Sequence, residues 1–189
     1  MTAPRPPILD RVAARGFLIF ERGDYNANLV VERTSFAPGV YDDWLHLAYR
    51  VGGHWVAHQW ACSSVPHPTY LEHPINPEGT ATLEGGQHLR SHRIDWHPYP
   101  GHVDAAGRTD ATEALVAVRP LPVRRDNDRN RLLTIAGPVV TAEGINIHAG
   151  RYSAGCVVAP QGMPECVAYL KACRAVWGNL FTVTVLDPD

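Results

Sequence analysis

The chain has 189 residues, 45% hydrophobic and 19% charged, a length that supports one substantial core in one domain. Its net charge of -2, with seventeen basic residues scattered along the sequence, gives no general attraction for a polyanion and argues against a nucleic-acid partner. No run approaches the roughly 18 apolar residues of a membrane span, and Met-Thr-Ala-Pro-Arg-Pro-Pro has no apolar signal segment behind it, so the expectation is a product made in the cytoplasm.

Residues 1–16 read as a proline-rich arm with a short amphipathic helix from Ile8 to Arg15 that Gly16 ends, and residues 17–189 as a single β-rich body. The period then changes to two. Phe17 to Glu21, Leu29 to Phe36, Trp44 to Arg50 and Trp55 to Ala61 are rich in aliphatic, aromatic and β-branched residues, and the last two predict a hairpin across Gly52-Gly53. Further short strands are predicted at Thr80 to Leu83, Arg93 to Trp96, Glu113 to Val118 and Ile145 to His148, with Pro98 and Pro100 marking a loop. Pro164 to Trp177 predicts the one convincing helix, begun by proline and stopped by Gly178, and Phe181 to Leu186 predicts a final strand beside it. The fold class expected is mostly β, a single antiparallel, barrel-like sheet with one C-terminal helix.

Four cysteines, Cys62, Cys156, Cys166 and Cys173, read as thiols, because a domain of this size needs no disulfide staples. Cys166 and Cys173 are seven apart and share a helix face. Ten histidines raise the question of a metal, yet His88, His92, His97 and His102 contain no His-x3-His pair. No metal or cofactor is expected, and a zinc hydrolase using that segment stays as a third reading.

The stretch Gly144 to Val158 holds the chemistry. A short strand delivers His148, a glycine-containing loop reverses the chain, and a second apolar run begins at Cys156. Adjacent strand ends can bring imidazole and sulfur together, as an activated thiolate requires, although a cysteine opening a Val-Val strand is often a plain buried hydrophobe. Ala154 and Gly155 leave room for a substrate carbonyl and for backbone N–H groups to act as an oxyanion hole. Asn146, Arg151, Ser153 and His97 are the candidate substrate-binding residues.

Ile147-His148 followed by Ser153-Ala154-Gly155-Cys156-Val157 resembles the signature of L,D-transpeptidases of the YkuD type, and Asn76-Pro77-Glu78-Gly79-Thr80-Ala81 is similar to a stretch that precedes it there. The chain also resembles a phage- and prophage-associated group with a Gly-Ile-Asn-Ile-His…Ser-Ala-Gly-Cys core and elements like Tyr41-Asp42-Asp43-Trp44, Glu113-Ala114-Leu115 and Arg125-Asp126-Asn127. Three departures stand out. Ala154 replaces a histidine, the His148 to Cys156 interval is short, and Val158 stands where those enzymes carry an arginine for the donor carboxylate, leaving Arg151 and Arg125 as candidate cations.

The resemblance implies that Cys156 attacks a carbonyl of a peptidoglycan stem peptide, with His148 as base and then acid and N–H groups near Gly155 and Cys156 holding the oxyanion. An amine acceptor would give a crosslink and water a carboxypeptidase or endopeptidase, with hydrolysis favoured for a wall enzyme that acts after delivery or lysis. The alternative is a non-catalytic wall-binding or virion structural module with the same fold.

Overall fold

The computed structural model describes residues 4–21, 27–103, 109–126, 139–151, 153–177 and 179–189. Eleven strands and three helices form among them, and none of those helices is long and apolar enough to cross a membrane. Eight strands make one sheet. From edge to edge they are β10 (Val157–Val158), β9 (Ile147–His148), β6 (Thr109–Ala117), β5 (Gly86–Val103), β11 (Phe181–Leu186), β1 (Asn28–Glu32), β2 (Asp43–Val51) and β3 (His54–Cys62). A second sheet holds β4 (Thr80–Leu83), β7 (Leu121–Asp126) and β8 (Val139–Ala142). The fold is mostly β, as expected, but the large sheet is mixed. β1 pairs parallel with β11, and β9 pairs parallel with β10.

The large sheet curls until its two edges meet. Ser63, just past β3, exchanges two 2.8 Å backbone hydrogen bonds with Val158 of β10. This bridge ties the first and last strands of the order together two residues beyond Cys156.

Burial explains the strand sequences. Leu29 and Val31 of β1 point into the main core, while Val30 points to a second cluster with Ala48, Leu186 and the buried Ile8, Leu9 and Val12 of α1 (Pro7–Ala14). Because both faces are covered, β1 and β11 are buried along nearly their whole length. The final strand is therefore internal to the sheet, between β5 and β1. Helix α3 (Met163–Trp177) sends Met163, Cys166, Val167, Leu170 and Cys173 into the main core, so its two cysteines share the face that their spacing predicts. The side chains of Arg174 to Trp177 lie outside the described ones. A further short helix, α2 (Pro68–Glu72), was not expected; Nδ1 of His67 caps it by accepting from the Thr69 N–H at 3.3 Å.

Two local expectations need correction. Phe17 to Glu21 forms no strand, because its hydrogen bonds go to side-chain amides: Asn28 engages both N and O of Phe20, and Gln87 engages both N and O of Leu18. The segment holding Pro98 and Pro100 is not a loop but part of β5; its pairing with β6 shifts register between Pro98 and Val103, where missing N–H groups are tolerated. The Gly52-Gly53 hairpin forms as a two-residue turn between Val51 and His54, with φ of 55° and 84° at the glycines.

Candidate active site

The parallel pairing of β9 with β10 sets His148 beside Val158 and Ile147 beside Val157. Side chains alternate faces along both segments. Ile145, Ile147, Val157 and Ala159 belong to the main core, whereas Asn146, His148, Cys156 and Val158 do not. The alternation puts Cys156 and His148 on one face of neighbouring chain segments, two positions out of register.

Cys156 is half-buried, and its sulfur is held by backbone. The Asn146 N–H donates to Sγ at 3.3 Å, and Sγ donates to the Gly144 carbonyl at 3.3 Å. Burial pushes the thiol above its ordinary range, against the lowering effect of the Asn146 N–H and the Ser153 hydroxyl. His148, 5% exposed, is pushed down by burial, an effect partly offset by its Nδ1–H bond of 2.5 Å to the Ala149 carbonyl. Both shifts favour the uncharged forms, thiol and imidazole. The sulfur's two backbone hydrogen bonds run to Gly144 and Asn146. Because a carbonyl can only accept, Nδ1 carries the proton and Nε2 is the basic nitrogen.

Ser153 occupies the place assigned to an oxyanion. Its Oγ accepts from the Gly155 N–H at 3.0 Å and from the Cys156 N–H. A substrate oxygen would have to replace this hydroxyl. Gly155 is required here by its φ of 145° and because an added Cβ would meet the Ala81 carbonyl oxygen at 2.8 Å, so β4 closes directly onto the loop.

A second layer fixes the imidazole. The His97 ring stacks on His148 with centroids 4.5 Å apart. Nδ2 of Asn146 donates to His97 Nδ1 at 3.2 Å, and Oδ1 of Asn146 accepts from the Ala117 N–H at 2.9 Å, which settles the amide orientation. Asn146 thus links the sulfur, His97 and β6. The fully buried His92 donates from Nε2 to the Ile145 carbonyl at 3.0 Å and anchors the entry to β9. His88 donates to the Glu84 carbonyl, and the His102 side chain lies outside the described ones. Among the described residues no three His, Cys, Asp or Glu side chains gather as a metal site.

Cys156 opens on a cleft of about 240 Å³ lined also by Asn76, Thr80, Arg125, Glu143 and Ala154. Arg125 is 11% exposed along its side chain; Nη1 donates to the Gly79 carbonyl at 2.8 Å, and Nε lies 3.6 Å from the exposed Glu78 without a hydrogen-bond partner. Arg151, the other candidate cation, lines a different cavity with Tyr41 and Trp60. No family model, no curated protein and no solved structure matches this chain.

The cleft brings together segments that the sequence reading connected only through resemblance: Asn76 and Gly79 to Ala81, Arg125, and Ala154 to Cys156. Asn127, grouped with Arg125 in that resemblance, lies outside the described residues. Glu143 and the His92 tether were not read from the sequence. Gly144, with a φ of 71°, carried a turn signal just before Ile145, whereas nothing local marks His92 as the residue that holds Ile145.

Proposed function

We propose that the protein is a cysteine-dependent acyltransferase or peptidase acting on peptidoglycan stem peptides, in the manner of the L,D-transpeptidases. The observation that carries this reading is the cleft: a thiol at its wall, an arginine 11% exposed lining it with an Nε that makes no hydrogen bond and has only Glu78 at 3.6 Å, and an imidazole on the thiol's face with its proton fixed on Nδ1. In the reaction, Cys156 Sγ adds to the carbonyl carbon while His148 Nε2 takes the thiol proton. The same nitrogen returns that proton to the departing amine, the C–N bond breaks, and a thioester to Cys156 remains. Water or a second amine then attacks the thioester, giving hydrolysis or a crosslink. The Gly155 and Cys156 N–H groups receive the oxyanion once the Ser153 hydroxyl turns away. Arg125 holds a substrate carboxylate in exchange for Glu78.

A non-catalytic wall-binding role is the second reading. It is favoured by the Ser153 hydroxyl on both N–H groups and by a thiol pushed up by burial. Mass spectrometry of muropeptides incubated with the protein and with Cys156→Ala separates the two. New or shortened stem peptides from the native chain alone are expected; unchanged muropeptides from both would overturn the acyl-transfer reading.

A further inference from the structure

The second cavity has a composition of its own. It measures about 490 Å³, inside the range of roughly 300–1,000 Å³ for small-molecule sites, and is lined by Tyr41, Trp60, Arg151, Pro160, Gln161 and Gly162. Its two aromatic rings are held at their polar tips. Trp60 Nε1 donates to Glu165 at 2.9 Å, and the Tyr41 hydroxyl donates to the Arg151 carbonyl. Trp60 is braced further by ring contacts with His58 and Tyr169 and by Gly162, where an added Cβ would sit 2.2 Å from Cγ of the indole. Yet Trp60 is only half-buried, and Tyr41 is 37% exposed.

Beside these fixed rings stand two planar side chains, Arg151 and Gln161, both exposed and, among the described residues, without a side-chain hydrogen bond or ion pair. We infer that this cavity binds a sugar ring. Rigid aromatic faces match the C–H surface of a pyranose, and a guanidinium and a carboxamide supply paired donors and an acceptor for neighbouring hydroxyl or N-acetyl groups. The rings keep little residual freedom to lose on binding, because their tips are already tied. The cavity shares one chain stretch with the thiol cleft: Arg151, Pro160 and Gln161 line the one, and Ala154, Gly155 and Cys156 the other. That the sugar belongs to the glycan carrying the stem peptide rests on the proposed function; sugar binding itself does not.

The test is calorimetric titration of the full chain with a trimer of N-acetylglucosamine, using the native protein, Cys156→Ala, Arg151→Ala and Gln161→Ala. Binding is expected in the first two and at least about tenfold weaker in the last two, with near-UV circular dichroism unchanged. No heat with the native protein at millimolar trimer, or undiminished binding by both cavity variants, overturns the sugar site. So does equal binding of a sugar-free stem peptide that depends on the same two residues. Sugar binding that persists when muropeptides remain unchanged would sink the acyl-transfer reading and leave this site standing.

Discussion

The backbone N–H of Asn146 lies 3.3 Å from the sulfur of Cys156 and donates to it across the β9 and β10 seam. It favours the thiolate, but burial outweighs it, and the thiol stays above its ordinary value of 9.0. Alkylation of Cys156 by iodoacetamide is therefore expected to keep rising past pH 9, where a thiolate–imidazolium pair would level off near neutrality. Mass mapping of the labelled site against pH checks this. Cys62, Cys166 and Cys173 are all pushed up by burial, Cys173 to about 11, and should label far more slowly.

Removing the sulfur should cost function and little stability. Cys156→Ala is expected to abolish turnover while changing unfolding free energy by less than about 1 kcal/mol. Cys173→Ala, in the main core, should retain turnover and lose about 1 kcal/mol. Urea denaturation with a turnover assay distinguishes the two variants.

The stacked imidazoles give a graded prediction. His148→Ala is expected to lower kcat by roughly 100-fold or more, because the proton acceptor is gone. His97 acts through His148, so His97→Phe, which preserves a ring at 4.5 Å, should lose less than His97→Ala. A pH–rate profile should show the acidic limb displaced in the His97 variants, a change that a purely structural role would not produce.

Gly155→Ala is expected to destabilise the protein on the order of 3 kcal/mol, combining an unfavourable φ with a clash against the Ala81 carbonyl. Thermal unfolding measures this. A melting temperature equal to that of the native chain would mean that β4 yields easily and does not brace the loop.

His92 makes stability depend on pH. Burial lowers its folded value to about 4 from an ordinary 6.5, so the unfolded chain binds its proton first. Its contribution is complete above about pH 6.5 and is lost as pH falls toward 4, a change of about 3 kcal/mol. Denaturation at pH 7 and pH 4.5 should show a smaller loss in His92→Gln than in the native chain.

Much of this architecture could be read from local pattern. The Gly52-Gly53 turn, the strand at Thr80–Leu83 and the helix ending at Trp177 each have propensity and punctuation that agree. What escaped depends on distant partners. The Phe17 segment lost its ladder to the side chains of Asn28 and Gln87, and β5 runs through two prolines because β6 shifts register opposite them. At the site, Asn146, Ser153 and His148 were legible as neighbours of one motif, whereas His97, 49 residues before Asn146, was read as part of the histidine-rich segment. That Ser153 would fill the N–H pair, and that Arg125 rather than Arg151 would line the thiol cleft, depended on how β4 and β7 fold against the loop.

The place of β11 in the sheet order has a consequence for folding. It is last in the sequence and central in the sheet, so until it arrives β5 and β1 have no common neighbour. β1, β2 and β3 can pair locally, whereas, among the described strands, they meet the half that carries His148 and Cys156 only through β11 and the Ser63 to Val158 bridge. Closing such distant segments is entropically slow. Docking of β11 between β5 and β1 is therefore expected to be a late step of folding, because it closes the longest of these separations.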